Sequence, residues 1–159
     1  MDKKAKDATK SDDEDVEPEN HIIKVVVIGP PGTGKTQVIT RYCEDYFTKK
    51  YKQTIGIDFF QKRVELPGDV NVAMHLWDVD GNAIAGKMLE TYLYDAVAIV
   101  FVYDVTSLES FKEIDSWSRQ ISLLRSDQRL SSSEEPMRIL FGNKNDMQHA
   151  AEVTLEQHN

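Results

Sequence analysis

The feature that most constrains this chain is the octapeptide GPPGTGKT at residues 29–36, which has the spacing G-x-x-x-x-G-K-T. It follows a β-branched run at residues 21–29, typical of a buried strand, and leads into residues 34–46, where apolar side chains recur at helical spacing. Glycines at such a junction let the backbone curl so that its N–H groups point at phosphate oxygens, and the positive end of the helix faces the same anion. The sequence therefore predicts a phosphate-binding loop rather than an incidental glycine-rich turn.

Side chains of this loop have distinct predicted roles. Lys35 places a point charge on the outer phosphates, and Thr36 offers a hydroxyl to a magnesium ion that bridges them. Pro30 and Pro31 lack N–H groups, so the loop is expected to be stiffer and poorer in donors. The loop residues expected to bind the nucleotide are Gly29, Gly32, Thr33, Gly34, Lys35 and Thr36.

A second motif, Asn143-Lys144-Asn145-Asp146, indicates which base is bound. It follows a strand pattern, and a carboxylate at the end of a parallel strand lies on the ligand side of the sheet. Asp146 can accept hydrogen bonds from the ring N–H and the exocyclic amine of guanine, a pair of donors that adenine lacks. Asn143 would brace the loop, and Lys144 can lay its stem over the base plane. The two motifs together favour GTP or GDP over ATP.

Strand and helix patterns alternate along the rest of the chain. Two strand patterns flank Pro67-Gly68-Asp69 and predict a hairpin. The alternation predicts an α/β fold with a doubly wound, mostly parallel sheet, covered on both faces, and one antiparallel edge strand. The expected strands are 21–29, 59–66, 70–79, 97–105 and 137–143, and the expected helices are 34–46, 83–94 and 107–125, with the opening of another helix at 153–159.

Residues 1–20 differ in composition from the rest of the chain. They contain eight acidic residues, four lysines and no aromatic residue, and such a segment cannot bury enough apolar surface to offset its ordering entropy. We therefore expect a disordered acidic tail at 1–20 and one domain at 21–159.

Charge and composition exclude several functional classes. The net charge of −8 argues against general nucleic-acid binding, and the single Cys43 argues against an internal disulfide. The apolar runs are too short for a membrane span, and the first residues do not have the pattern of a secretory signal.

Two more segments, IGIDF at residues 55–59 and VYDVT at residues 102–106, point to a known family. Together with the nucleotide motifs they resemble the Rab proteins of the Ras superfamily of small GTPases. The stretches YKQTIGIDFF, LPGDVNV and GKMLETYLY are most similar to the divergent Rab twenty-eight branch. The resemblance covers about residues 22–147 and implies a P-loop G domain that binds GTP or GDP with magnesium.

The resemblance also implies roles for single residues. Thr54 would be the first switch ligand of the magnesium ion, and Asp78 would hold the ion through water. Gly81 would direct its N–H at the terminal phosphate, and Phe47 would pack against guanine. Asn143, Lys144 and Asp146 would read the base, as the motif itself predicts.

Protein partners are implied in the same way. Effectors, exchange factors and activating proteins would contact residues near 47–60 and 77–94. Rab proteins expose an aromatic triad to effectors there, and the matching residues here are Phe59, Trp77 and Tyr92. The alternative interpretation is that these rings serve ordinary packing in the sheet and core.

Four departures from the family pattern bear on activity. Asn82 stands where relatives have a water-orienting glutamine, and its shorter side chain should position the attacking water poorly. Asp80 puts a carboxylate near the terminal phosphate, where it should repel like charge unless it turns away or is protonated, and Pro31 crowds the loop. The chain also stops before the family's last strand, last helix and prenylated cysteines. Their absence should expose apolar side chains such as Val97, Ile99 and Phe101 or their neighbours.

The leading hypothesis is a Rab-type guanine-nucleotide switch that hydrolyses GTP slowly and regulates membrane trafficking through effectors. Catalysis would use magnesium, Lys35, Gly81 and, less effectively, Asn82. The alternative is a truncated or degenerate G domain that acts as a non-cycling interaction module. An ATP-using P-loop enzyme has only the phosphate loop in its favour. We expect a cytoplasmic protein with no lipid anchor in this chain, peripheral on endomembranes where a longer form supplies an anchor.

Overall fold

A five-stranded sheet forms the centre of the protein. The structure, a computed structural model, describes residues 20–48, 50–85, 87–126 and 135–153. The expected acidic tail lies outside the described residues apart from Asn20, and the expected helix opening lies outside them apart from Val153. Both expectations therefore stay predictions.

The strands of this sheet are β1 (Asn20–Ile28), β2 (Ile57–Leu66), β3 (Val70–Val79), β4 (Ala98–Asp104) and β5 (Met137–Asn143). Their order is β2-β3-β1-β4-β5. β1 runs parallel to β3 and β4, β4 runs parallel to β5, and β2 pairs antiparallel with β3 as an edge hairpin. At the hairpin turn Gly68 has φ 88° and Asp69 has φ 59°, a left-handed region that these residue types tolerate. The predicted fold class is confirmed.

The described α-helices are α1 (Lys35–Glu44), α2 (Leu89–Leu93) and α3 (Leu108–Ser126). The single helix expected at 83–94 was wrong, because a 3-10 turn at Ala83–Ala85 precedes the short α2. The apolar pattern there is weak, and a glycine at position 86 costs a helix interior about 1 kcal/mol relative to alanine. None of the described helices is long and apolar enough to cross a bilayer.

Helices cover both faces of the sheet, which makes it doubly wound. On one face, Ile39 of α1 packs with Val25, Val27 and Val102 of the two central strands. On the other face, α2 and α3 cover a second cluster, which we call the α3-side core. Its fully buried members include Val26, Ile99, Trp117 and Ile121. The alternation of side chains along β1 divides its valines between the two cores.

The expected exposure of apolar sheet residues is only partly correct. Val97 is 54% exposed, but Ile99 and Phe101 are buried, at 0% and 4% exposure, because they face α3. On the edge strand β5, the alternate residues Met137, Ile139 and Phe141 are also exposed, and they lie on the α1 face of the sheet. Among the described residues, the side chains on this edge strand are therefore exposed, whereas Ile99 and Phe101 nearer the centre of the sheet are buried.

The segment after β5 returns to the start of α3. A 3-10 turn at Asn145–Ala150 leads to Glu152, whose Oε2 accepts a hydrogen bond from the Leu108 N–H at 2.9 Å. Val153 N donates to Val105 O at 3.2 Å, and the Val153 side chain is buried in the α3-side core. A carboxylate that accepts a first-turn N–H caps the helix and complements its dipole.

Replacing Glu152 with alanine should lower the free energy of unfolding by about 1 kcal/mol, because the Leu108 N–H loses its acceptor. Denaturant unfolding measures the change. The exposed Glu65 on β2 offers a control, and Glu65→Ala should change stability by less than about 0.5 kcal/mol. Equal losses in the two variants would contradict the capping role.

Candidate nucleotide-binding site

The phosphate loop joins β1 to α1, and its shape requires glycine at the start of the helix. Gly34 has φ 88°, and a Cβ at this position would lie 2.5 Å from Asn143 Nδ2. The same Nδ2 donates a hydrogen bond to the Thr33 carbonyl oxygen at 2.8 Å. Asn143 therefore ties the end of β5 to the phosphate loop, in space that only glycine leaves free.

Lys35 is buried, with 6% of its surface exposed. Its Nζ donates to Gly29 O at 2.8 Å and to Pro30 O at 2.9 Å. Burial lowers the pKa of Lys35 to about 8, against the opposing fields of Asp78 and Asp80. The loop thus holds a positive charge at the end of the sheet with little water to screen it, where it can act on an anion.

Three oxygen-bearing side chains converge beside this lysine. Thr36 Oγ1 donates to Asp78 Oδ2 at 2.5 Å, and the hydroxyls of Thr36 and Thr54 lie 2.9 Å apart. Asp78 is completely buried, and its Oδ1 has no hydrogen-bond partner among the described residues. Burial raises the pKa of the Asp78 carboxyl, although the Thr36 hydroxyl and Lys35 oppose the shift.

A buried carboxylate with an unsatisfied oxygen is costly unless a cation or donor is supplied. Magnesium takes oxygen ligands and usually binds through one or two carboxylates together with water and substrate phosphates. The described residues contain no group of three or more His, Cys, Asp or Glu side chains able to hold a metal ion. Thr36, Thr54 and Asp78 therefore fit a magnesium ion that also depends on phosphate oxygens.

The base motif lies at the end of β5. Lys144 adopts φ 64°, and its Nζ donates to Asp104 Oδ2 at 2.5 Å. Burial tends to raise the pKa of Asp104, but the hydrogen bonds from Lys144 and Thr106 outweigh it, and the net shift is downward. The ammonium of Lys144 is thus anchored at the end of β4, while Asp146 is exposed in the following 3-10 turn.

Lys35 and Asp146 line one cavity of about 760 Å³, a size typical of small-ligand sites. Gly29, Thr33 and Asp78 are buried without lining it, and Asn82 lies on an exposed turn. The predicted site residues that line the cavity are Gly32, Gly34, Lys35, Thr36, Phe47, Thr54, Gly81, Asn143, Lys144 and Asp146.

Several residues of this site had no role predicted from the sequence. Tyr51, Gln53, Phe141 and Met147 also line the cavity, and Asp104 anchors Lys144. The alternation along β5 could have indicated Phe141, and a carboxylate at the end of an apolar strand could have indicated Asp104. Residues 50–53 form an irregular segment with no periodicity to indicate their positions.

The turn after β3 lies against the phosphate loop. Asp80 N donates to Gly56 O at 2.9 Å, and Asp80 Oδ1 accepts from Asn82 N at 3.0 Å and Asn82 Nδ2 at 3.1 Å. A Cβ at Gly81 would lie 2.3 Å from Pro31 N, so glycine is required by close approach. The Asn82 amide is therefore bound to Asp80.

The three aromatic residues expected to contact effectors differ in exposure. Phe59 is 61% exposed and makes an edge-to-face contact with Trp77, with ring centroids 4.6 Å apart. Trp77 is half-buried, and Lys24 Nζ lies 3.6 Å from its ring centroid. Tyr92 is half-buried against the α3-side core. Packing in the sheet and core thus buries much of the Trp77 and Tyr92 side chains, whereas the Phe59 ring is mainly exposed.

Comparison with known proteins places the chain in a family. A sequence model described as the Ras family matches residues 24–159. The chain is 38% identical over 147 residues to Ras-related protein Rab-28 of Caenorhabditis elegans, which covers 92% of this chain and 57% of that protein. It is 36% identical over 138 residues to Ras-related protein Rab-13 of Rattus norvegicus, covering 87% of this chain and 64% of that protein. Ras-related protein Rab-7L1 of Mus musculus is 34% identical over 128 residues, or 80% of this chain and 61% of that protein.

The chain therefore belongs to the Ras family. Its similarity to three Rab proteins confirms the expected Rab resemblance. The chain spans 57–64% of the length of these curated relatives.

Binding of a nucleoside diphosphate at alkaline pH should cause Lys35 to take up a proton. With a pKa of about 8, Lys35 is mostly neutral in the free protein near pH 9, and the phosphates favour its charged form. We expect uptake of most of one proton per GDP at about pH 9 and of a small fraction at about pH 7. Calorimetry in two buffers of different ionisation enthalpy measures the uptake.

The exposed Lys50 at the cavity rim provides the matched control for this measurement. Lys50→Arg should keep the uptake, whereas Lys35→Arg should lose it because arginine stays charged. Equal uptake at the two pH values would show that Lys35 is not the responding group.

Proposed function

We propose that the protein is a guanine-nucleotide switch of the Rab type, which binds GTP or GDP with magnesium and hydrolyses GTP slowly. The observation that carries the proposal is that Lys35 and Asp146 line the same cavity. A cation for phosphates and a carboxylate for the base are thereby available to one ligand, at the carboxyl ends of parallel strands. Membership of the Ras family supports the same conclusion.

Guanine selection is assigned to Asp146, because its two carboxylate oxygens match the two adjacent donors of guanine. Adenine would leave the carboxylate without those donors, and an unsatisfied charged acceptor is strongly disfavoured. Phe47 and Lys144 border the same cavity and can contact the faces of the base. The pairing of Lys144 with Asp104 keeps the lysine stem in place during base binding.

Hydrolysis requires a water molecule to attack the terminal phosphorus in line with the departing GDP oxygen. Lys35 stabilises the charge that develops on the phosphate oxygens, and the Gly81 N–H is the candidate donor to the same group. Magnesium, when bound by Thr36, Thr54 and Asp78, supplies further charge neutralisation. Asn82 contributes little orientation to the water because its amide is bound to Asp80.

The proposed cellular role follows from the family. Effectors and regulators would contact residues 47–60 and 77–94, with the exposed Phe59 as the first aromatic contact. The protein would act in membrane trafficking, in the cytoplasm and at endomembrane surfaces. One observation favours the alternative of a non-cycling interaction module. Asn82, which stands where relatives have the water-orienting glutamine, has its side-chain amide bound to Asp80.

Replacing Asp146 with alanine should weaken GDP binding on the order of 100-fold, because two hydrogen bonds to a charged acceptor are lost. The thermal midpoint with and without GDP–magnesium reports binding, since a ligand of the folded state raises it. Asp115→Ala, at an exposed position on α3, should leave the shift unchanged. Equal shifts by ADP and GDP in the unsubstituted protein would contradict guanine selection.

Replacing Asn82 with glutamine should raise the single-turnover rate of GTP cleavage about tenfold, because the extra methylene lets the amide reach past Asp80 toward the water. Asn82→Ala should leave the rate nearly unchanged, since the native amide is already bound to Asp80. A large loss in Asn82→Ala, or no gain in Asn82→Gln, would refute this account of the turn.

A further inference from the structure

The Asp80 carboxylate lies at the phosphate end of the cavity. Asp80 and Gly81 line the cavity together with Lys35 and Pro31. Gly81 is packed directly against the phosphate loop, with Pro31 N only 2.3 Å from where a Cβ would stand. The turn that carries Asp80 therefore has little freedom to move away while the loop keeps this shape.

Hydrogen bonds hold the Asp80 side chain and backbone in place. The Asn82 N–H and side-chain amide both donate to Oδ1, and the Asp80 N–H donates to Gly56 O. An asparagine or serine oxygen at position 80 could accept from the Asn82 N–H equally well. The turn alone therefore does not require a negative charge.

That charge acts on the group that binds phosphate. Asp80 and Asp78 both exert an attractive field on the buried Lys35 ammonium. Asp78 also borders the proposed magnesium position, whereas no hydrogen bond links Asp80 to Thr36 or Thr54 among the described contacts. Asp80 thus adds negative electrostatic potential at the place where a third phosphate group would add further negative charge.

We propose that Asp80 is a specificity-determining residue that makes the site prefer a nucleoside diphosphate over a triphosphate. Its carboxylate would compete with the terminal phosphate for Lys35 and repel that phosphate, whereas the two inner phosphates would be held by the loop amides and be less affected. The inference rests on the proposed function of the site as a guanine-nucleotide site. It predicts that the diphosphate is the more tightly held of the two nucleotides.

The test measures dissociation constants for GDP and a non-hydrolysable GTP analogue, each with magnesium, on nucleotide-free protein. The unsubstituted protein should bind GDP at least tenfold more tightly than the analogue. Asp80→Asn, which keeps an acceptor for Asn82, should reduce that preference about tenfold by tightening the analogue. GDP affinity should change less than about threefold, because GDP lacks the terminal phosphate whose charge Asp80 is proposed to oppose.

The control is Asp115→Asn. Asp115 is an exposed carboxylate on α3, and it does not line the cavity. Its removal should leave the preference unchanged. Asp80→Ser provides a second neutral variant with a different shape, so that a folding defect in one variant does not decide the result.

The possible results separate the two proposals. If the protein binds both nucleotides and the two neutral variants leave the ratio unchanged, the role of Asp80 is overturned and the guanine site stands. If both variants lose GDP binding, the carboxylate is part of the structure of the site and the inference is equally overturned. If the unsubstituted protein binds neither nucleotide, the proposed function itself fails, and the inference with it.

Discussion

The site depends on a lysine ammonium held in a nearly water-free position by two carbonyl oxygens of its own loop. Lys35 Nζ donates to Gly29 O and Pro30 O, and its surface is almost entirely buried. A charge in this position is expensive without an anion nearby, and Asp78 is the buried carboxylate that partly compensates it. This placement ties the lysine to the carbonyl groups that begin the loop, and the proposed affinity for phosphate depends on it.

The parallel sheet brings the other groups to the same edge. Asp78 is the penultimate residue of β3, while Asp104 ends β4 and Asn143 ends β5. Side chains that are far apart in the sequence become neighbours because parallel strands end at one side of the sheet. Asn143 donates to the phosphate loop and Lys144 to Asp104, so the base end and the phosphate end of the cavity are mechanically linked. A ligand that contacts both ends of the cavity would therefore also stabilise this edge of the sheet.

The turn at residues 80–82 distinguishes this chain from the pattern that its resemblance implies. The Asp80 carboxylate accepts hydrogen bonds from the Asn82 N–H and side-chain amide, and its charge also acts on the Lys35 ammonium. We propose that this one carboxylate acts both on the Asn82 side chain and on the preference for a diphosphate, through polar contacts that are local to the turn.

The sequence by itself determined the fold class, the strand bounds to within two residues and the two nucleotide motifs. Continuous β-branched runs, glycine at a strand–helix junction and a polar tetrapeptide after a strand are local signals with local physical causes. Only the tertiary structure decided that Ile99 and Phe101 are buried, that residues 83–94 divide into a 3-10 turn and a short helix, and that Lys144 pairs with Asp104. These outcomes depend on which element packs on which face and which strand ends adjoin, and no single segment of sequence contains that information.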